Sequence, residues 1–292
     1  MQKIKLENKT WQWATLLLLS LIWGTSFILI KRGLESYNHM QVAAFRIFFS
    51  FIFLLPFTLR HLKSIKKDNL RSLLIVGFVG FAIPAFLFTK AQTRIDSSLA
   101  GMLNSLTPLF TLVVGLLIYR NSAKWINVIG LLIGMLGALG LIWRGDLDIL
   151  KGFNLFALFV VAATICYGIN VNEIKFKLEG LTSMQITSLS FLFTGPIAGI
   201  YLLFTDFSPA VETPNYIINL GYIALLALFS SVIAVLIFNY LIKHTTTLFA
   251  ASVTYIIPFF AIIWGMVDGE HVGILQFLWI GVILLGVYMV NK

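Results

Sequence analysis

Residues 24–41 read GTSFILIKRGLESYNHMQ, and residues 168–185 read GINVNEIKFKLEGLTSMQ. Seven of the eighteen positions match at an offset of 144: Gly24/Gly168, Ile30/Ile174, Lys31/Lys175, Leu34/Leu178, Glu35/Glu179, Met40/Met184 and Gln41/Gln185. Further along the offset becomes 150, where Ala100, Pro108, Phe110 and Gly115 meet Ala250, Pro258, Phe260 and Gly265. The pattern is a tandem duplication, residues 1–145 followed by residues 150–292, with about six residues gained in the polar stretch Asp206 to Tyr216. Each unit holds five apolar segments. Five crossings leave a chain on the opposite side of a membrane, so the duplication predicts a second unit inverted relative to the first, as in many secondary transporters.

Composition points the same way. With 59% hydrophobic and 11% charged residues and a mean hydropathy of +0.93, the 292-residue chain has too little polar surface for a soluble globule. A helix needs about 20 apolar residues to cross a bilayer. Ten such spans are read near 12–30, 40–59, 70–90, 96–118, 125–143, 153–171, 184–204, 218–241, 247–267 and 273–290. The expected fold is an all-α membrane protein of ten transmembrane helices in two inverted five-helix repeats, with the lipid bilayer as its first partner.

The net charge of +9 is a matter of topology rather than nucleic-acid binding. If the N-terminus is cytoplasmic, fourteen Lys and Arg fall inside, including Lys3, Lys5, Lys63, Lys66, Lys67, Arg120 and Lys243. Six fall outside (Lys31, Arg32, Lys90, Arg94, Arg144 and Lys151), and Arg46 is left within the second span. Acids reverse the bias, four inside and eight outside. This is the positive-inside distribution, with both termini in the cytoplasm. The first apolar run is longer than a signal-peptide core and has no small-residue cleavage site before Lys31, so it is expected to remain in the protein.

Few residues offer chemistry. Cys166 stands alone in the sixth span and is expected to be a small packing residue. His39, His61, His244 and His271 sit at span ends or in loops without ligand spacing to one another, so no metal, cofactor or enzyme site is expected. Gly130, Gly134, Gly137 and Gly140 make a smooth strip on one face of the fifth span, for packing within the chain or for a homodimer seam; monomer and homodimer both stay open. Pro84, Pro108, Pro196 and Pro258 fall within spans, and Pro108 and Pro258 occupy the same place in the two repeats. That pair is a candidate hinge, or else an inherited kink.

The run Trp23-Gly24-Thr25-Ser26-Phe27 with Lys31, Arg46 in the second span, and Ser98 to Phe110 with its Asn104 and Pro108 resemble the EamA-type branch of the drug/metabolite transporter superfamily. The resemblance covers nearly the whole chain. It implies a ten-helix inverted-repeat transporter, usually an exporter of small metabolites such as amino acids, with a central cavity between the halves. Two departures break its symmetry: the acidic residue after the ninth helix is present as Glu270 but its first-repeat counterpart is Arg120, and Arg46 is matched by Ser190.

Polar groups deep in an apolar span are costly unless they face the bundle interior or water. On that ground the candidate substrate-binding residues are Trp23, Ser26, Arg46, Asn104 and Thr107 in the first half and Tyr167, Asn170, Asn239, Tyr240, Thr254 and Tyr255 in the second. Trp23 and Tyr167 precede the paired glycines Gly24 and Gly168. The Asn104 amide has two uses open to it, bonding the carbonyl freed by Pro108 or bonding substrate. Arg46 lies about 9 Å from the start of its span, where snorkelling toward the headgroups or a structural bond is expected ahead of a bidentate grip on a substrate carboxylate.

No Asp or Glu falls at the middle of a span, and Asp96, Glu173, Asp268 and Glu270 are expected to be wet and screened at span ends. The expected function is export of a neutral or zwitterionic small molecule by alternating access without a deep proton relay. The rivals are a lipid-carrier flippase or nucleotide-sugar exchanger, which would call for several cavity cations, and a non-transporting scaffold or receptor, which would need larger loops.

Overall fold

A computed structural model describes residues 9–120, 124–143, 154–290 and 292. Lys3, Lys5, Arg144 and Lys151, used above in the topology argument, lie outside the described residues. Among the described residues, nine helices are long and apolar enough to cross a membrane: α1 Trp11–Leu34, α2 His39–Ser64, α3 Lys67–Ala91, α4 Ser97–Leu117, α5 Trp125–Ile142, α6 Ala157–Lys177, α7 Ser183–Phe204, α8 Tyr216–His244 and α9 Phe249–Val267. A shorter apolar helix, α10 Ile274–Val290, occupies the expected tenth span. The sixth span ends six residues later than expected, so Asn172 and Glu173 are buried within α6.

Several of the duplicated residues do equivalent work in both halves of the chain. Asn38 caps α2 while Gln41 reaches back to the Asn38 N–H, and Thr182 with Gln185 repeats this capping box at the start of α7. Ile30 and Ile174 are fully buried. Gly24 lets α1 approach the α9 backbone at Ile257, and Gly168 lets α6 approach the α4 backbone at Phe110. A Cβ at Gly168 would lie 2.8 Å from the Phe110 carbonyl, a place where only glycine fits without moving backbone.

Helix neighbours exchange in the same way. α2 packs on α7 and α5 on α10; α1 meets α8 and α9 as α6 meets α3 and α4. Each contact of one half thus has its counterpart in the other. The glycine strip of α5 is spent inside the chain, where Gly130 and Gly137 lie against the α10 backbone at Gly286 and Ile283 and Gly140 lies against the Trp279 ring. Large apolar side chains such as Trp125, Leu203, Phe204 and Ile274 are more than four-fifths exposed, the surface expected where lipid replaces water.

Both members of the Pro108/Pro258 pair sit at the second residue of a new helical segment, Thr107–Leu117 and Ile257–Val267. The helix axis is interrupted one turn earlier, at Ser105–Leu106 in α4 and through the 3₁₀ turn Ser252–Tyr255 in α9. Pro56 and Pro196, in contrast, lie inside unbroken helices. A second pair of irregularities is not signalled by proline: π-helical turns occupy Val76–Ala82 in α3 and Leu226–Ile233 in α8, and their first residues are 150 apart. Pro84 follows the first, but Ala234 stands at the same place after the second.

Candidate functional site

The interrupted and π-helical segments converge on one central cavity. Its walls come from eight helices, with none from α5 or α10. Much of the lining consists of residues that the repeat offsets pair: Trp23 with Tyr167, Ser26 with Asn170, Asn104 with Thr254, Gly80 with Ser230, Phe81 with Ser231 and Phe88 with Phe238. The aromatic contacts pair too. Trp23 stands edge-on to Phe238 at 4.9 Å, and Tyr167 stacks on Phe88 at 6.0 Å. The site therefore straddles the relation between the units and is built equally from both.

Nine of the eleven candidates drawn from sequence line this cavity: Trp23, Ser26, Arg46, Asn104, Thr107, Tyr167, Asn170, Asn239 and Thr254. Tyr240 and Tyr255 do not. Each follows a lining residue directly, and a one-residue step turns a side chain about 100° around a helix. Tyr240 lies against the His244 ring at 4.0 Å, and the Tyr255 hydroxyl donates to the Val287 carbonyl at 3.0 Å in the core beside α10.

Several lining groups are already committed to the scaffold. Trp23 Nε1 donates to the Ser230 carbonyl at 3.1 Å, and the Ser26 and Ser230 hydroxyls are 2.7 Å apart, tying α1 to the π turn of α8. The carbonyl freed by Pro108 is that of Asn104, and it is the Thr107 hydroxyl that donates to it, at 2.8 Å, so the Asn104 amide is not used there. Asn239 Nδ2 donates to Thr187 at 2.9 Å. What is left over is a set of acceptors: the side-chain oxygens of Asn104, Asn170 and Asn239 are buried without a partner among the described residues. Arg46 does not snorkel. Its side chain turns to the cavity, where Nε donates at 2.7 Å to the Ser231 hydroxyl that the π turn of α8 presents.

The charges cluster elsewhere, at the end of the bundle where α1 and α9 finish. Lys31 Nζ bridges Asp268 at 2.6 Å and Glu270 at 2.8 Å. Arg32 joins Asp268 to Glu35. Glu270 also accepts from the Ser97 N–H, the Ser97 hydroxyl and the Ser98 N–H, capping the start of α4 from the other repeat. Burial alone would raise the Glu270 carboxyl; the bond to Lys31 and the donors of Ser97 and Ser98 outweigh it and hold the group down at about 2. Asp96 is exposed as expected, but the other three acids at the span ends are not wet. The side chains of Asp268 and Glu270 are 9% and 3% exposed, and Glu173 is bonded to the Tyr119 hydroxyl.

Among the described residues the opposite end has no such lock. Lys175, the repeat counterpart of Lys31, donates instead to the carbonyls of Ile242, Lys243 and Thr245, because Arg120 stands where a second Glu270 would be. Arg120 adopts a left-handed φ of 57° at the end of α4.

The EamA-like transporter family matches this chain twice, over residues 11–143 and 154–292. The chain belongs to the EamA-like transporter family. The Escherichia coli K12 protein named uncharacterized inner membrane transporter YedA is 28% identical to this EamA-like transporter over 94% of its chain and 88% of the relative. An uncharacterized transporter of Archaeoglobus fulgidus is 23% identical over 96% and 99%. The S-adenosylmethionine/S-adenosylhomocysteine transporter of Chlamydia trachomatis is 22% identical over 84% and 77%. A solved crystal structure, 14% identical, shares the fold with a TM-score of 0.66 over 97% of this chain and 96% of that one.

The lining residues that polarity alone did not single out in this EamA-like transporter are mostly apolar: Phe81, Phe88, Phe191, Phe238 and the small Gly80. The signal for two of them was positional. Subtracting 150 from Phe238, the neighbour of the candidate Asn239, yields Phe88, whereas Gly80 and Ser230 adjoin no candidate. Ser231 had no signal of its own, since its counterpart is Phe81.

Proposed function

We propose that this membrane transporter exports small neutral or zwitterionic metabolites, amino acids or related compounds, by alternating access about the central cavity. The single observation that carries this is the cavity itself: an aromatic wall, unpartnered amide acceptors and one cation, shared by residues paired across the repeat. Rings supply stacking area and the amides supply directional bonds, the usual make-up of a small-molecule site. Five spans per unit put the second unit upside down in the membrane, so an exchange of gates between the units exposes the site to each side in turn. The interruptions before Pro108 and Pro258 are the points where α4 and α9 bend in that exchange. The positive-inside distribution favours cytoplasmic termini in an inner membrane, the location that YedA's name gives for that relative.

Among the described residues no carboxylate lines the cavity, which speaks against a proton relay at the site. A single Arg also suits a nucleotide-sugar or lipid diphosphate poorly. The aromatic wall does leave room for a nucleoside-bearing amino acid such as the one named for the Chlamydia relative, so S-adenosylhomocysteine belongs among the solutes tested.

The test is efflux from proteoliposomes loaded with amino acids, S-adenosylhomocysteine, nucleosides and sugars, followed by mass spectrometry with and without a pH gradient. Selective loss of one class is expected, reduced about tenfold or more by Trp23→Ala and by Asn170→Ala, a loss of ~1.4 kcal/mol or more of binding. Folded protein that releases none of them selectively overturns the proposal.

A further inference from the structure

We infer that Arg46, oriented by Ser231, is the residue through which the central site selects solutes bearing a carboxylate, and that it holds them in one orientation. The inference rests on the cavity being the solute site, as proposed above.

Arg46 is the one charged side chain among the lining residues. Among the described residues it has no ion pair: the salt bridges formed all involve Lys31 or Arg32 at the end of the bundle. Its Nε is bonded to Ser231 Oγ, and neither terminal nitrogen has a protein partner among the described residues. A guanidinium tethered through Nε presents its two terminal N–H groups as a fixed fork. That fork matches the two oxygens of a carboxylate. A cation in an apolar span without a counter-ion is costly, and retention of one facing a cavity marks a place where an anion is supplied from outside. The rest of the lining gives a solute's other end acceptors rather than charges, in the unpartnered oxygens of Asn104, Asn170 and Asn239.

Symmetry sharpens the point. Most of the lining positions are paired by the repeat offsets, although only Phe88/Phe238 keeps the same residue, and the other pairs remain uncharged on both sides. The Arg46–Ser231 pair is not duplicated: the counterparts are Ser190 and Phe81, and Phe81 is stacked on Phe191 at 4.8 Å. The second half of the site is thus apolar where the first is cationic. One carboxylate has one place to go.

The experiment compares matched trios built on alanine, leucine and phenylalanine: the amino acid, its carboxamide and the corresponding amine without a carboxyl group. Binding is read by the thermal shift of detergent-purified protein and transport by counterflow in proteoliposomes, for wild type, Arg46→Gln, Arg46→Lys and Ser231→Ala. Wild type is expected to prefer the acid of at least one trio by about tenfold. Arg46→Gln should abolish that preference by weakening the acid much more than the carboxamide. Arg46→Lys, which keeps the charge but not the fork, should retain part of it. Ser231→Ala should raise the half-saturating concentration of the acid severalfold with little change in its maximal rate, an effect that general loosening of the fold would not confine to the acid. Inorganic phosphate in the binding assay checks the class of anion, and a shift as large as that of the acid would overturn carboxylate selection. Equal losses of acid and carboxamide in the three variants would make Arg46 structural and overturn the inference. Wild-type protein that transports the carboxamides as well as the acids would overturn it while leaving the transport function standing. Folded wild type that neither binds nor moves any member of the panel would remove the solute-site proposal and this inference together.

Discussion

Glu270→Ala is expected to lower the unfolding free energy by about 2–3 kcal/mol, measured by thermal or chemical unfolding in detergent. Glu270 receives four donors, from Lys31, from the Ser97 hydroxyl and from the Ser97 and Ser98 N–H groups. Truncation leaves Lys31 with Asp268 alone and strands two N–H groups at the first turn of α4. Breaking a fully buried pair costs roughly 3–5 kcal/mol, and the Lys31 side chain is one-third exposed, which brings the figure down. Glu270→Gln keeps the shape and one acceptor, so its loss should be about 1–2 kcal/mol. The pH dependence separates charge from packing. The folded-state value of about 2 lies below the ordinary 4.5, so the charge contributes stability that is complete above pH 4.5 and disappears as pH falls toward 2. The gap between wild type and Glu270→Gln should therefore hold through neutral pH and narrow only in that acid window. Equal stability of the two proteins at pH 7 would show that this contact does not clamp α1, α4 and α9 together.

The repeat was legible in the sequence because the matched residues are those with no substitute. Gly24 and Gly168 sit where a Cβ would meet another helix backbone, and Gln41 and Gln185 each close a capping box. Proline likewise marked the interruptions of α4 and α9. The π turns of α3 and α8 were not legible, since a π turn arises from packing between helices and the one in α8 has no proline beside it. They matter to the site because they carry Gly80, Phe81, Ser230 and Ser231 into the cavity wall. Polarity found Asn104, Asn170 and Asn239 but not which way their neighbours faced, which is why Tyr240 and Tyr255 were drawn in with them. For Arg46, depth along the span left snorkelling or a structural bond open, and the partner, Ser231, decides for the bond. Of the acids at the span ends, Asp96 is exposed as expected, whereas Glu173, Asp268 and Glu270 are enclosed by neighbours that depth along a span does not reveal. Glu270 is near the surface by sequence and almost fully enclosed by Lys31, Ser97 and Ser98 in space.

A pair of glycine substitutions should pull stability and transport apart. At Gly286 in α10 a Cβ would overlap the backbones of Gly130 and Gly134 in α5, and neither can yield by a change of rotamer. Gly286→Val must therefore drive the two helices apart, at a cost of about 3 kcal/mol or more, above the usual range for overpacking against movable side chains. Yet neither helix supplies a residue to the cavity, so whatever protein remains folded should discriminate among solutes as wild type does. Gly80 is the opposite case. A Cβ there would overlap the Asn170 amide, a side chain free to swing away, so Gly80→Ala should change stability by less than about 1 kcal/mol, with the entropy gain of alanine offsetting part of the crowding. Displacing Asn170 removes one of the cavity's acceptors, and solute binding should weaken about tenfold, ~1.4 kcal/mol. Unfolding midpoints and efflux rates measured on the same two preparations decide the matter. If Gly286→Val altered selectivity, the α5–α10 pair would have to move with the site during transport; if Gly80→Ala left transport intact, Asn170 would belong to the packing between α3 and α6 and not to the path of the solute.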